Sequence, residues 1–251
     1  MSELPSVHLI LKTLDDLAYC AKNAPEVIAL LGAGSTGLDL QRIDEYSDLD
    51  FFLIVKDGFS RSLRETNSWF AERLPIGFWF RDTEHGNKVL LDNGVFMEFA
   101  IFEESEWVRF LIPGLRKIWS IDGFELPKSS FNIAPEKDAQ HFVDQALANL
   151  YIGMLRWHRG EKLAANLMIE RYAFENTLRA MRTKAKNPID DPFIIERRAE
   201  KNFDLEFNRF LKGLDRTPES ARAIFSLLSD QFWANPKISD AIKVLLAMAE
   251  D

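Results

Sequence analysis

The chain has 251 residues, a formal net charge of −8 and 47% hydrophobic residues, which predicts a globular protein with enough length for two domains. No apolar run approaches the ~18 residues that a membrane helix needs, and the first residues lack the pattern of a signal peptide, so no membrane association is expected. The single cysteine, Cys20, excludes an internal disulfide framework, is expected to be a packing residue and favours a cytoplasmic location.

The acidic charge is concentrated in the first half of the chain. Residues 1–129 carry 13 basic and 21 acidic side chains, whereas residues 130–251 carry 18 of each. Proteins that bind nucleic acids gain most of their affinity by neutralising phosphates, and no basic stripe is present here. We therefore expect no nucleic-acid partner, and the acidic balance favours a small acceptor molecule.

The first predicted elements are a helix, a strand and a glycine-rich turn. Residues 5–23 place apolar side chains at spacings of three and four, which predicts an amphipathic helix packed on a sheet. Val27–Leu31 is a short apolar strand, and it leads into a turn from Gly32 to Gly37. A glycine-rich backbone allows amide N–H groups to approach a phosphate closely.

Two aspartates open the next apolar run. After a connection of twelve residues beyond Ser35, Asp48-Leu49-Asp50 begins a strand with too few polar residues for a sheet edge. Because side chains alternate along a strand, Asp48 and Asp50 are predicted to project from one face. Two carboxylates in one small space repel each other unless a cation lies between them, and hard oxygen ligands suit Mg²⁺. The pair therefore predicts a magnesium site on a central strand.

The same glycines allow a second interpretation. The segment from Gly32 to Gly37 fits G-x-G-x-x-G, and Asp57 lies twenty residues beyond Gly37, as in a dinucleotide-binding fold. Only the ten residues LDLQRIDEYS precede the next strand, however, and this connection is too short and too polar for the packed helix of a βαβ unit. The metal interpretation is therefore favoured.

The central part of the chain alternates short helices and strands. A helix is predicted over residues 61–74, and Asp92-Asn93-Gly94 predicts a hairpin turn. Three strand candidates flank these signals: Phe78–Arg81, Lys88–Asp92 and Val95–Phe102.

Glu98 interrupts the otherwise apolar strand Val95–Phe102. A glutamate in such surroundings is rarely buried unless it is paired or bound to a metal. It is expected to add a third carboxylate to the site if its strand lies beside that of Asp50. The alternative is a solvent-facing acid on an edge strand.

The remaining chain is predicted to be mostly helical. A short helix at Glu103–Phe110 and a strand at Lys117–Ile121 precede a polar connection from Pro127 to Pro135. This connection predicts a domain boundary, with domains at residues 1–128 and 129–251. Helices are predicted at Pro135–Trp157, Glu161–Arg182, Thr217–Phe232 and Pro236–Ala249, the last two with Thr217 and Asn235 as N-caps, and a loop is predicted at Asn187–Pro192.

The motif as a whole resembles the nucleotidyltransferase superfamily. The matching residues are Gly34-Ser35, Ser47-Asp48-Leu49-Asp50 and the later Glu98. The segments YSDLDFFLIVKDGF, GNKVLLDNGVFMEF and HRGEKLAANLMIERYAFENTLRAMR are similar to the lincosamide nucleotidyltransferases of antibiotic resistance, over about residues 29–182. The chain departs from many relatives in lacking a basic residue just after the serine.

The resemblance implies an α+β fold: a mixed sheet with flanking helices, followed by a helical bundle that binds substrate. It implies transfer of a nucleoside monophosphate from an NTP such as ATP to a hydroxyl group of a small molecule, for example a lincosamide or an aminoglycoside. Asp48 and Asp50 would hold Mg²⁺, and Glu98 would bind a second metal ion or accept the hydroxyl proton. Gly34, Ser35 and Ser47 would bind the nucleotide.

A second class of function uses the same fold. An antitoxin-like or regulatory module would act on a protein partner, although such antitoxins usually form one short domain and this chain continues into a helical region. The four histidines lack metal-ligand spacing, and no G-x-S-x-G nucleophile motif occurs. The sequence leaves the oligomeric state open, with a homodimer among the alternatives.

Overall fold

The computed structural model describes residues 4–38, 40–107, 114–126, 137–186 and 194–249. The chain divides into two compact units, Met1–Asn132 and Ile133–Asp251. The predicted boundary between residues 128 and 129 and the predicted loop at Asn187–Pro192 lie outside the described residues. A strand-rich unit is followed by a helical one, so the predicted α+β class is confirmed.

A mixed six-stranded sheet forms the centre of the first unit within the described residues. The strand order is β3-β4-β5-β2-β1-β6, in which β2 and β5 are parallel and all other neighbours are antiparallel. The predicted central position of the strand that Asp48 and Asp50 open is therefore confirmed. The strands are β1 Val27–Gly32, β2 Leu49–Val55, β3 Ile76–Arg81, β4 Gly86–Leu91, β5 Phe96–Glu103 and β6 Arg116–Ser120.

Three helices of the described residues cover one face of this sheet, and a short fourth helix packs on the other. Ile10 and Leu17 of the first helix are fully buried in a core that also contains Phe51 of β2 and Phe99 of β5. This packing confirms the predicted amphipathic helix. Cys20 is buried in the same core, and burial raises the pKa of its thiol, as expected for a packing residue. The helices of this unit are α1 Val7–Asn23, α2 Ser60–Thr66, α3 Ser68–Ala71 and α4 Glu104–Trp107.

The opposite face of the sheet carries a smaller apolar cluster. Ile54, Phe102 and Trp107 are buried there, with Phe52 and Ala100 packed against them. Because Phe52 and Ile54 alternate with the core residues of β2, this is the face to which Asp50 also projects. We call it the site face.

The helix predicted over residues 61–74 is divided into α2 and α3. Asn67 lies between them with a φ of 53°, in the left-handed region, and its side-chain oxygen accepts a hydrogen bond of 2.9 Å from Asn87 Nδ2. Asparagine tolerates this conformation better than most residues, and its buried amide finds its partner on β4. This break depends on a contact twenty residues away, so helical periodicity does not reveal it.

The hairpin predicted at Asp92-Asn93-Gly94 connects β4 and β5. Gly94 has a φ of 86°, its amide donates to Leu91 O at 2.9 Å, and Val95 N donates to Asn93 Oδ1 at 3.1 Å. Only glycine adopts this backbone conformation without strain. The turn fixes the antiparallel register in which Lys88 lies beside Glu98.

The second unit is helical within its described residues. Where one helix is predicted over Glu161–Arg182, α6 and α7 flank a π-helical segment, Leu167–Ala173. Gly153 faces this segment closely, since a Cβ there would lie 2.6 Å from Ile169 Cγ1. The helices are α5 Ala139–His158, α6 Lys162–Asn166, α7 Phe174–Ala180, α8 Ala199–Asn202, α9 Thr217–Gln231 and α10 Pro236–Ala247.

The helix caps of this unit agree only partly with the sequence. Asn235 caps α10, and its side chain accepts a hydrogen bond of 3.0 Å from Lys237 N. The predicted cap Thr217 is wrong, because it is the first helical residue of α9 and its hydroxyl donates to Leu214 O at 3.0 Å. A preceding turn at Leu214–Arg216 extends the helical path and moves the cap position to Arg216. No helix of the described residues has the length and hydropathy needed to cross a membrane.

Candidate functional site

The acidic pair lies where β2 begins. Asp48 immediately precedes the strand and Asp50 is its second residue, both half-buried, whereas Leu49 between them is fully buried. Strand alternation explains why Leu49 enters the helix-covered core and Asp50 projects from the site face. Asp50 in addition lies next to the glycine-rich turn.

Gly34 brings the turn against the Asp50 carboxylate. Its φ is +51°, and a Cβ built on it would lie 2.4 Å from Asp50 Oδ2. Glycine is therefore required at this position both for the left-handed backbone and for the close approach. The turn, Gly34–Thr36, closes with hydrogen bonds from Thr36 N to Ala33 O and from Gly37 N to Gly34 O, at 2.9 and 3.2 Å. The amides of Gly34 and Ser35 precede these bonds and take no part in them.

Hydroxyl groups tie the turn to the start of β2. Ser35 Oγ donates to Asp48 O at 3.1 Å, and the fully buried Thr36 donates to Ala33 O at 2.8 Å. Thr36 Oγ1 also contacts Asp50 O, and Ala33 N donates to that oxygen at 2.9 Å. The turn and both aspartates are thus held as one assembly.

Ser47, the third residue predicted to bind nucleotide, belongs to a local turn. Its hydroxyl donates to Asp44 Oδ1 at 2.9 Å and accepts from Asp44 N at 3.0 Å. The side chains of Ser35 and Ser47 therefore both stabilise the backbone around the acidic pair, and their predicted contact with the nucleotide stays a prediction.

Glu98 lies beside Asp50 on the neighbouring strand. The parallel register of β2 and β5 pairs Asp50 with Glu98, and directly paired residues project from the same face of a sheet. The condition for a third carboxylate, that its strand lie beside that of Asp50, is therefore met. Glu98 is not an edge-strand acid, because β5 lies between β4 and β2.

Lys88 is a member of this cluster that the sequence interpretation missed. It is paired with Glu98 in the antiparallel register, and its Nζ lies 3.0 Å from Glu98 Oε1 and 3.6 Å from Asp82 Oδ2. The hydrogen bond to Glu98 and the nearby negative charge raise the pKa of Lys88. The Glu98 and Lys88 side chains remain 39% and 29% exposed, so both are accessible to a reactant. Strand alternation in the hairpin was the signal available for finding Lys88.

Arg116 also reaches the turn, from the first position of β6. Its Nε donates to Thr36 O at 3.0 Å and to Gly37 O at 3.1 Å, and burial lowers the pKa of its guanidinium group. A basic side chain therefore does contact the glycine-rich turn, although none follows Ser35 in sequence. Eighty residues separate Thr36 from Arg116, so local spacing gave no signal for it.

The donor set fits Mg²⁺ in chemistry and number. Among the residues that the structure describes, no group of three or more His, Cys, Asp or Glu side chains is close enough to hold a metal ion by itself. Mg²⁺ usually takes one or two carboxylates and completes its shell with water and substrate phosphates. Asp48 and Asp50 supply two carboxylates, and Asp50 lies against the turn and is paired with Glu98.

The direction of β1 excludes the dinucleotide interpretation. β1 and β2 are antiparallel, with Gly32 paired to Phe51, and the connection between them contains a 3₁₀ turn at Leu40–Arg42 among its described residues. A dinucleotide-binding unit needs parallel strands joined by a packed helix. Gly32 to Gly37 therefore does not form that motif.

Three solved structures are similar to the chain along most of its length. An aminoglycoside 6-adenyltransferase from Bacillus subtilis is 15% identical, covers 97% of this chain and 92% of its own, and gives a TM-score of 0.34. The STING-associated CdnE c-di-GMP synthase from Capnocytophaga granulosa is 12% identical, with coverages of 97% and 79% and a TM-score of 0.32. A nucleotidyltransferase-like protein from Exiguobacterium sibiricum is 13% identical, with coverages of 93% and 77% and a TM-score of 0.35.

No protein-family model and no curated protein matches the sequence. All three TM-scores lie below 0.5, so these likenesses assign no function to the chain.

Proposed function

We propose that the protein is a Mg²⁺-dependent nucleotidyltransferase that moves a nucleoside monophosphate from an NTP to a hydroxyl group of a small molecule. The observation that carries this proposal is the placement of Asp50, with Gly34 against its carboxylate on one side and Glu98 paired with it on the other. A phosphate-binding turn and two neighbouring acids are the parts that this chemistry requires.

The residues of the chain supply alignment and charge. The amides of Gly34 and Ser35 bind the β- and γ-phosphates, and Asp48 and Asp50 are the metal ligands. When bound, Mg²⁺ neutralises the phosphate charge that grows in the transition state. Glu98 accepts the proton of the acceptor hydroxyl or serves as a further ligand. Because a triphosphate carries its own leaving group, positioning of the reactants is the main demand on the protein.

The finer features of the function follow the sequence resemblance. The proposed acceptor is a lincosamide or an aminoglycoside, and the proposed donor is ATP. Residues 1–128 form the proposed catalytic domain, and residues 129–251 form a proposed helical domain that contributes to substrate binding.

The test of this proposal replaces the two aspartates. Asp48→Asn and Asp50→Asn should each abolish nucleotidyl transfer, because each substitution removes a charge that the cation requires. Stability should be unchanged or slightly higher, since repulsion between the carboxylates is relieved. Pyrophosphate release with Mg²⁺ and each NTP measures the activity, and thermal unfolding measures the stability.

Asp15→Asn provides the matched control, because Asp15 is an exposed acid on α1, which packs on the other face of the sheet. It should leave pyrophosphate release unchanged. Wild-type rates in Asp50→Asn, with Mg²⁺ still required, would refute the assignment of the metal site.

A further inference from the structure

A row of side chains crosses the site face at the level of Asp50. The strand registers pair Asp50 with Glu98, Glu98 with Lys88, and Lys88 with Phe80 of β3. Paired positions share a face, and neighbouring strands lie about 4.8 Å apart. Phe80 is therefore three strand spacings, roughly 14 Å, from Asp50.

The β3 end of this row is apolar and exposed. Phe78, Phe80 and Leu90 have 54%, 43% and 38% of their surfaces accessible. Phe78 pairs with Leu90 in the same register, so it also projects from the site face, and its ring centroid lies 5.8 Å from that of Phe80. We call Phe78, Phe80 and Leu90 the aromatic end. Large apolar side chains clustered at the surface mark a binding site more often than isolated ones do.

The chemistry proposed for the site determines which reactant approaches from this end, and this inference rests on the proposed function. Gly34 lies on the β1 side of Asp50, whereas Glu98 lies on the β5 side. In phosphoryl transfer the entering and leaving oxygens lie roughly in line, on opposite sides of the phosphorus. If pyrophosphate leaves toward Gly34, the acceptor enters from the side of Glu98, Lys88 and Phe80.

We propose that the aromatic end is the acceptor-binding surface, and that the acceptor is a hydroxyl-bearing compound with one apolar ring face. A sugar or aromatic ring would pack on Phe78 and Phe80. Lys88, held between Glu98 and Asp82, offers N–H donors to the oxygen atoms of the acceptor. Part of acceptor recognition then lies in the first unit, in addition to any contribution of the helical region.

Transfer from the NTP to the acceptor hydroxyl needs no third reactant. The hydroxyl oxygen of the acceptor forms a bond to the α-phosphorus, and the bond from that phosphorus to the oxygen shared with the β-phosphate breaks. The electron pair leaves with pyrophosphate. The hydroxyl proton passes to a carboxylate, and Glu98 is the carboxylate on the side of approach.

The experiment compares ring acceptors with an open-chain one. Pyrophosphate release is measured with Mg²⁺ and each NTP, using lincomycin and kanamycin A as ring acceptors and sorbitol as a hydroxyl compound without a ring. Phe78→Ala and Phe80→Ala should each raise the KM of a ring acceptor by about tenfold, the order expected for loss of ring stacking and apolar contact. The KM of the NTP should change by less than about twofold, and Phe78→Leu should restore part of the affinity.

Phe59→Ala is the matched control, because Phe59 is 50% exposed but lies outside the sheet, before α2. It should leave both KM values unchanged. Thermal unfolding of each variant separates a lost contact from a lost fold, and Phe78→Leu serves as the second variant where an alanine substitution proves unstable.

Four outcomes would overturn the inference. A rise in the KM of the NTP alone would assign the aromatic end to the nucleobase, and a wild-type dimer that Phe78→Ala converts to a monomer would assign it to a second copy of the chain. Unchanged KM values in both alanine variants would remove it from the site.

If neither ring acceptor supports pyrophosphate release above the sorbitol level while calorimetry detects NTP–Mg²⁺ binding, the proposed acceptor class is wrong and the proposed function stands. Absence of that binding would instead reject the proposed function itself.

Discussion

The two faces of the strand pair β2 and β5 differ sharply although they come from the same residues. On the helix-covered face, Phe51 and Phe99 stack in parallel, with ring centroids 4.8 Å apart and an interplanar angle of 3°, and both are buried. On the site face, the adjacent positions in the same register are Asp50 and Glu98. One residue along the strand separates a closely packed aromatic pair from a pair of carboxylates.

The two faces of this strand pair therefore serve different purposes, one in stability and the other in the candidate site. Phe51 and Phe99 stabilise the sheet through burial. Asp50 and Glu98 oppose stability through charge repulsion, which a cation or Lys88 can offset. A rigid strand also holds its outward side chains in fixed positions, which suits a site whose main demand is alignment. Substitutions at alternating positions should therefore separate stability from activity.

The largest expected effect on stability is at the aromatic pair. Phe51→Ala should lower the free energy of unfolding by about 3–5 kcal/mol, because it removes a fully buried ring and leaves a cavity against Phe99 and Trp69. Urea unfolding followed by tryptophan fluorescence measures the change. The fraction that remains folded should retain activity close to wild type, and a loss below about 1 kcal/mol would contradict the packing seen here.

Glu98→Gln should instead lower activity and leave stability nearly unchanged. The chemical step should slow by about 10²-fold, equivalent to roughly 2.7 kcal/mol in transition-state stabilisation, whereas nucleotide binding and stability should remain nearly unchanged. Calorimetric titration of nucleotide and pyrophosphate release with an active acceptor measure the two quantities. An unaltered rate would show that Glu98 has no catalytic role. It would favour a protein that binds nucleotide without transferring it.

A smaller effect is expected where the turn meets the acidic pair. Gly34→Ala should cost about 1–3 kcal/mol of stability from its left-handed backbone and should also displace the Asp50 carboxylate, which lowers activity. Gly58→Ala is the matched control, because Gly58 has a φ of +88° and a Cβ there would contact nothing within 4 Å. Gly58→Ala should lose only the backbone contribution, Gly34→Ala should lose at least as much stability, and only Gly34→Ala should lose pyrophosphate release. Equal activities would show that the contact with Asp50 does not matter for catalysis.

Local sequence patterns were sufficient for most elements of the first unit. The spacing of apolar residues located α1, the alternation at Asp48-Leu49-Asp50 gave the two-faced start of β2, and Asp92-Asn93-Gly94 located the hairpin. These signals act over a few residues, since they arise from the periods of helix and strand and from the backbone freedom of glycine and asparagine. The same signals failed at Asn67 and at the π-helical segment, where contacts with other elements decide the backbone.

The sequence by itself placed Leu49 and Asp50 on opposite faces of one strand, predicted Asp48 on the face of Asp50, and located a third acid on a later strand. Only the tertiary structure decided that β5 is parallel to β2, that its register places Glu98 beside Asp50, that Lys88 pairs with Glu98, and that Arg116 contacts the glycine-rich turn. The physical reason is that alternation is a property of one strand, whereas register is a choice among pairings of distant segments. A shift of one residue would have turned Glu98 to the opposite face, and burial of the whole apolar face of the sheet selects against it.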